Sequence, residues 1–329
     1  MTELTRRAAL AGAAAAALVP ALAATPARAT APLAGRQAPG WYRYKVGTIE
    51  VTVVTDGSNT FKFGDKHVTN KSRDELNAAL AEAHYPPDLM TTPYNPVVVN
   101  TGSKLAVIDT GTGEANFERT KGVVGQFQSN LKAAGIDRNA VDVVVISHFH
   151  GDHINGLIGA DGKLAFPNAE VLVPAAEWKF FMDDGEMSRA PAGRMQDVFT
   201  GLRKVFDALG RKVTPYEPGK EIVPGITAVA TPGHTPGHNS HIIASGASKV
   251  YVQADVTHVP FIFARHPDWH AFYDQDGPMA AQTRRKVYDM LAAEKMLVQG
   301  FHYPFPSLAY VEKAPTGYRE IAVPWNPTI

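Results

Sequence analysis

Hydrophobic and polar positions change period several times along the chain, and each change marks an element. Ile49, Val51 and Val53 alternate with polar neighbours ahead of Asp56-Gly57, which predicts a strand closed by a turn. Two short apolar runs, 96–100 and 105–109, flank Thr101-Gly102-Ser103-Lys104 and predict a β-hairpin. Val124, Phe127, Leu131 and Ala134 recur at helical spacing up to Gly135, as an amphipathic helix with a glycine stop would. The run from Val141 to Ile146 is almost wholly β-branched and predicts a buried strand. Met195, Val198, Phe199, Leu202, Val205, Phe206 and Leu209 form a second helical stripe, closed by Gly210. Strands follow near 226–230, 241–244 and 250–252, then a helix near 282–293 and a strand at 296–298. Strands and helices interleaved in this order predict an α/β fold, sheets covered by helices, in one domain from 41 to 329.

The amino-terminal pattern predicts an address instead of a fold element. Thr5-Arg6-Arg7 precedes an alanine-rich apolar run to Leu22, and Ala27-Arg28-Ala29 offers a small-x-small cleavage site. Paired arginines before a weakly hydrophobic stretch resemble a twin-arginine export signal over 1–29, followed by a flexible leader over 30–40. The run is short, rich in alanine and broken by Pro20, so a stable membrane anchor is not expected. The expected location is the periplasm or the medium.

Composition narrows the chemistry. The 329 residues hold 32 basic and 32 acidic side chains, which leaves no electrostatic footprint for nucleic acid. Cysteine is absent, so disulfides and thiolate zinc sites are excluded, and any metal must rest on nitrogen and oxygen.

The buried run 141–146 leads straight into Ser147-His148-Phe149-His150-Gly151-Asp152-His153. Imidazoles two positions apart on extended chain point the same way, so His148 and His150 can share one ion. Gly151 is expected to let the chain turn, which sets Asp152 and His153 toward a second position. Unpaired His and Asp are costly to bury, so packing alone is a poor explanation of this cluster.

His-x-His-x-Asp-His after a hydrophobic strand resembles the central motif of the metallo-β-lactamase superfamily, and the remaining motifs follow in order. Asp109, in Val107-Ile108-Asp109-Thr110-Gly111, matches the aspartate that supports the metal loop. His234, in Thr231-Pro232-Gly233-His234, matches the third ligand of the first metal, and His238 nearby is expected to pack or hydrogen bond. Asp255 matches the carboxylate shared by both metals, and His302 the last ligand of the second. The resemblance implies a four-layer αββα sandwich holding two divalent ions, with zinc the default for these donors. One would be bound by His148, His150 and His234, the other by Asp152, His153 and His302. Further segments, Val99-Asn100-Thr101-Gly102-Ser103-Lys104-Leu105 and Leu164-Ala165-Phe166-Pro167-Asn168-Ala169 among them, resemble methyl parathion hydrolase and its lactonase-like relatives.

Two ions sharing a carboxylate would lie about 3.5–4 Å apart and activate a water near neutral pH, with no serine or cysteine nucleophile needed. Asp152 and Asp255 thus count as catalytic as well as ligating. The expected substrates are small neutral esters: lactones, aryl esters and organophosphate triesters. Phe117, Phe181, Phe199 and Phe305 are expected to line an apolar mouth, with Trp178 and Phe180 close by. Where related lactonases carry a tyrosine three residues after the shared aspartate, this chain has His258, expected to donate a hydrogen bond in turnover. The apolar segment Phe61–Phe63 is expected to contribute to a homodimer, if one forms. The alternatives are a class B-like β-lactamase, against which the position of Asp255 argues, and a non-catalytic metal-binding protein, against which the complete ligand set argues.

Overall fold

Side chains alternating across each strand decide the layering. The computed structural model describes residues 31, 33–35 and 37–329, and its strands and helices fall within the unit Pro39–Ile329. The expected export signal at 1–29 lies outside the described residues. β1 (Trp41–Val46) pairs antiparallel with β2 (Ile49–Val54). A separate hairpin of β3 (Gly57–Lys62) and β4 (Leu89–Tyr94) then stands as its own two-stranded sheet. The chain returns through β5 (Val97–Asn100), β6 (Leu105–Ile108), β7 (Val143–Val145), β8 (Glu170–Pro174) and β9 (Thr214–Tyr216), giving the order β1-β2-β5-β6-β7-β8-β9. The second seven-stranded sheet runs in sequence order. It comprises β10 (Glu221–Val223), β11 (Ile226–Ala230), β12 (Asn239–Ser245), β13 (Ser248–Ala254), β14 (Leu297–Gly300), β15 (Leu308–Lys313) and β16 (Tyr318–Ala322).

Odd and even positions of the same strands go to different layers. Val97, Val99, Ala106, Ile108, Val143 and Val145 share one cluster with Ile226, Ala228, Ile243, Val250 and Val252 of the other sheet. Val98, Val107 and Val144 pack on the opposite side against Phe127, Leu131, Leu202 and Phe206 of the helices Phe127–Ala133 and Arg194–Ala208. On the far face of the second sheet, Tyr251, Val298 and Val311 meet Val287, Tyr288 and Leu291 of the helix Gly277–Glu294. The layers are therefore helix, sheet, sheet, helix, as expected. Each valine removed from water contributes roughly 1.5–3 kcal/mol, and a one-residue slip in register would turn that set outward.

Two expectations need correction. Asp56-Gly57 is not a simple solvent turn. Asp56 is buried, and its carboxylate accepts from the backbone N–H groups of Thr112, Gly125 and Phe127 and from the Thr112 hydroxyl. Taking the Phe127 N–H also fixes where that helix begins, three residues later than the apolar spacing suggested. The helix Arg73–Glu82 was not foreseen, although Ser72 and Glu75 carry a complete capping box that announces it.

A small fourth cluster lies apart from the sandwich core. Phe63, Leu76, Leu80 and Met90, from the β3–β4 hairpin and its helix, pack against Val259, Phe261, Phe263 and Trp269. Phe63, in the segment expected at a dimer contact, is buried in this cluster, and Phe61 packs against the cluster.

Candidate metal centre

The centre is assembled where β6, β7, β13 and β14 end and the loop after β11 begins. Parallel pairing of β6 with β7, and of β13 with β14, puts those carboxyl ends side by side. Asp109, just past β6, is held at φ +60°, a left-handed conformation that costs a non-glycine residue. There its Oδ1 accepts from the Ser147 N–H at 2.8 Å and its Oδ2 from the Ser147 hydroxyl at 2.8 Å. His153 Nδ1 lies 2.8 Å from the same Oδ2. Three other rings are anchored in the same manner: His148 Nδ1 is 3.0 Å from Ser147 Oγ, His234 Nδ1 2.9 Å from Asp274 Oδ1, and His302 Nδ1 2.7 Å from the Pro93 carbonyl oxygen. A ring held at Nδ1 presents Nε2 to the centre in one orientation. Gly151 does not adopt a left-handed turn; it opens the short helix Gly151–Ile154, and the chain reverses through helix geometry instead.

The ligand atoms form two groups that share Asp255. His148 Nε2, His150 Nδ1 and His234 Nε2 lie 2.8–3.2 Å from one another. Asp255 Oδ2 is 3.2 Å from His234 Nε2 and 3.7 Å from His148 Nε2. A cation about 2.0–2.1 Å from four tetrahedral donors sets them roughly 3.3 Å apart, so this group has the dimensions of a cradle. In the second group Asp152 Oδ2 is 3.6 Å from His153 Nε2 and 3.5 Å from His302 Nε2. Asp255 reaches it too, with Oδ1 3.3 Å from His153 Nε2 and Oδ2 3.2 Å from His302 Nε2. His153 Nε2 and Asp255 Oδ1 are buried with no hydrogen-bond partner, although such atoms are costly to leave unmet. A bound cation would satisfy both.

Electrostatics favour the same occupant. Burial, reinforced by the neighbouring imidazoles, holds His148 and His150 well below the usual histidine range, which leaves neutral rings with lone pairs to offer. Burial pushes His153 down as well, but Asp255, Asp109 and Asp152 outweigh it and raise the ring well above that range. His234 rises to about 9, the pull of Asp255 and Asp274 overcoming burial. Asp255 is held well below the carboxylate range, because His302, His153, His258 and His148 outweigh its desolvation. A site that draws protons onto His153 and His234 while keeping Asp255 anionic calls for positive charge at its middle.

Three neighbours hold the loops in place. His238 does not ligate: its Nδ1 faces the Thr231 carbonyl oxygen at 3.0 Å, and its Nε2 accepts from the Asp255 N–H at 3.1 Å. Glu177, which sequence reasoning missed, is fully buried and accepts from the N–H groups of Phe149 at 3.0 Å and Gly237 at 2.8 Å, tying together the two histidine loops. Asp274, also missed, fixes His234 and lies 3.5 Å from the fully buried Arg284. Neither carboxylate has a local sequence signal, since each is defined by partners distant in the chain.

A cavity of about 310 Å³ opens onto the cradle, lined by His150, Asp152, His234, Asp255, His258 and His302 together with Phe61, Tyr94, Arg194, Val198, Phe272 and Tyr273. None of the four expected phenylalanines is among them. Phe181 is fully buried between helix and sheet, because its helical stripe faces the core; Phe199 is buried in the same cluster but also lines a neighbouring cavity of about 360 Å³. Phe117 and Phe305 are exposed outside the lining. The apolar mouth is real, but the β3–β4 hairpin and the segment around Phe272 build it.

Helices outside two facing sheets, with a histidine and aspartate cradle at the strand ends, are the hallmark of a metallo-hydrolase. The chain belongs to the metallo-beta-lactamase superfamily, whose family model matches residues 90–297. The N-acyl homoserine lactonase AttM of Agrobacterium fabrum is 30% identical over 200 residues, covering 55% of this chain and 68% of that protein. An N-acyl homoserine lactonase of Bacillus sp is 25% identical over 217 residues, 64% of this chain and 77% of that protein. Among solved structures, the dizinc quorum-quenching lactonase AidC superposes with a TM-score of 0.80 at 26% identity, covering 87% of this chain and 98% of AidC. The hydrolase AbOPH also superposes with a TM-score of 0.80 at 26% identity, covering 88% of this chain and all of AbOPH.

Proposed function

We propose that the chain hydrolyses lactones, with organophosphate triesters and aryl esters as further substrates of the same machinery. The observation that carries the reading is Asp255, one carboxylate in reach of both ligand groups. The lactonases among the relatives support the substrate class. His148, His150 and His234 would hold one divalent ion, Asp152, His153 and His302 the other, with Asp255 between. Zinc suits these donors, and the pair would supply a water nucleophile near neutral pH and polarise the carbonyl oxygen.

The chain's own side chains do the rest. Asp109, Asp274 and the Pro93 carbonyl oxygen fix the imidazoles before substrate arrives, so no reorganisation is needed during reaction. Burial pushes His258 down to about 3, so its ring is neutral with a single N–H. Nε2 lies 3.1 Å from Asp255 Oδ2, which directs that N–H to the carboxylate. We therefore assign His258 to orienting Asp255. The phenols of Tyr94 and Tyr273 also line the cavity, and burial keeps them protonated. A lactone expels a basic alkoxide that needs a proton, while a nitrophenolate leaves unaided, so both substrate types fit one site. Phe61, Val198 and Phe272 favour a neutral substrate.

The test measures bound metal in the purified protein and compares an N-acyl homoserine lactone, dihydrocoumarin, methyl paraoxon and nitrocefin. Chelator-sensitive lactone opening with about two metal equivalents is expected. Turnover of nitrocefin alone would move the assignment to a β-lactamase, and full metal content with no turnover would leave a binding protein. We propose further that residues 1–29 direct export, which cell fractionation with and without that segment checks.

A further inference from the structure

Three hollows meet at one side chain. Arg194, the first residue of the helix Arg194–Ala208, lines the metal-site cavity with His150, Asp152 and His234. It also lines a cavity of about 360 Å³ whose apolar walls are Phe180, Ala190, Pro191, Met195 and Phe199, with Glu186 and Arg189 also in its lining, and another of about 310 Å³ beside Ile154, Val198 and Leu202. The larger neighbour is also lined by Asp274, the carboxylate that holds His234, so it lies beside the cradle. A guanidinium carries five N–H donors in a planar fork. Here one hydrogen bond is formed, from Nη2 to the Phe272 carbonyl oxygen at 3.2 Å. The Arg194 guanidinium carbon stands 5.4 Å from the centre of the Phe272 ring, which steadies the group. Among the described residues no carboxylate pairs with Arg194, and burial alone perturbs it.

An arginine with free donors, set between a reaction centre and a hollow with both apolar and charged walls, suits a carbonyl oxygen that lies between an ester and an apolar tail. We propose that Arg194 determines specificity by donating to the amide carbonyl oxygen of an N-acylated lactone, whose acyl tail enters the cavity walled by Phe180, Ala190, Pro191 and Met195. This rests on the lactone reading above and sharpens it. The ring then sits at the cradle, the amide crosses Arg194, and the tail leaves water without uncovering the metal ligands.

The test uses the metal-loaded protein and two lactones with the same ring and tail length, one carrying the amide and one a plain alkyl chain. In R194A the ratio of kcat/KM for the amide lactone over the alkyl lactone should fall about tenfold, through KM, the size of one hydrogen bond to a charged group. R194K keeps the charge without the fork and should fall in between. Calorimetric binding of the ring-opened amide product should weaken to a similar degree. An equal change with both lactones, or a change in kcat alone, would show that Arg194 merely braces the Phe272 segment. A Met195→Trp variant fills the tail cavity and should shorten the longest acyl chain accepted; an unchanged chain-length profile overturns the tail placement. If the wild type opens neither lactone yet cleaves methyl paraoxon, the lactone reading itself fails, whereas an unmoved ratio with both lactones turned over defeats only the role of Arg194.

Discussion

The metal cradle and the cap at its mouth are built on opposite principles. In the cradle the ligating rings lie at the ends of strands, and His148, His153, His234 and His302 are each fixed by a polar contact at Nδ1. In the cap, the β3–β4 hairpin, the helix Arg73–Glu82 and the segment from Val259 to Ala271 are joined by a small apolar cluster. Polar fixation specifies direction, so the cradle sets where donors point. Apolar packing specifies shape, so the cap sets what fits. A site made of both can keep its chemistry while its substrate range changes.

The comparison breaks most severely at the residue both ligand groups share. Asp255→Asn removes that charge, and metal content should drop with a loss in kcat/KM of roughly a thousandfold, several kcal/mol of charge stabilisation. Metal analysis beside kinetics checks it; retained metal and rate would show that bridging is dispensable. Acid should act on the cap next. Burial among Phe61, Phe63, Phe272 and Tyr273 pushes His67 down to about 4 from 6.5. A histidine depressed in the folded state contributes stability above its unfolded pKa that is lost as pH falls through the folded one. Between pH 6.5 and 4 the wild type should therefore lose about 3 kcal/mol more than His67→Phe. Denaturant titrations of both proteins, metal-free, across that range read the difference, and parallel curves would sink the idea.

Smaller effects separate orientation from ligation. Asp109→Asn and Asp274→Asn leave every metal donor in place but loosen His153 and His234, so metal affinity should fall about 10–100-fold with the fold retained. Competition with a chelator measures this, and unchanged affinity would make the anchoring incidental. Smallest is the cap's own contact. Phe61→Ala should raise KM for a lactone about tenfold, at the scale of one apolar contact, whereas Phe117→Ala and Phe305→Ala should leave KM where it was. If the latter two raise it instead, the mouth has been placed on the wrong side.

Much of the sandwich was legible because its signals are local. Alternation marked β2, short apolar runs around a turn marked β5 and β6, and glycine stops at Gly135 and Gly210, both with positive φ, marked two helix ends. The candidate ligands were legible through short spacing after a buried strand and through motifs that resemble a known family. The pocket was not. Phe181 had the right chemistry but lies on the helix face turned to the core, Phe199 lines only the neighbouring cavity, and nothing short of packing says which aromatic is left facing the metal site.

By itself the sequence determined the strand and helix periods, the absence of thiolate ligands and the set of histidines and aspartates able to hold metal. These follow from backbone geometry and side-chain chemistry within a few residues. Only the tertiary structure decided that Asp274 holds His234, that Glu177 ties the histidine loops together and that Arg194 faces three hollows at once. Each of these depends on side chains brought together across long stretches of chain, and the free energy that selects them belongs to the packed whole rather than to any local segment.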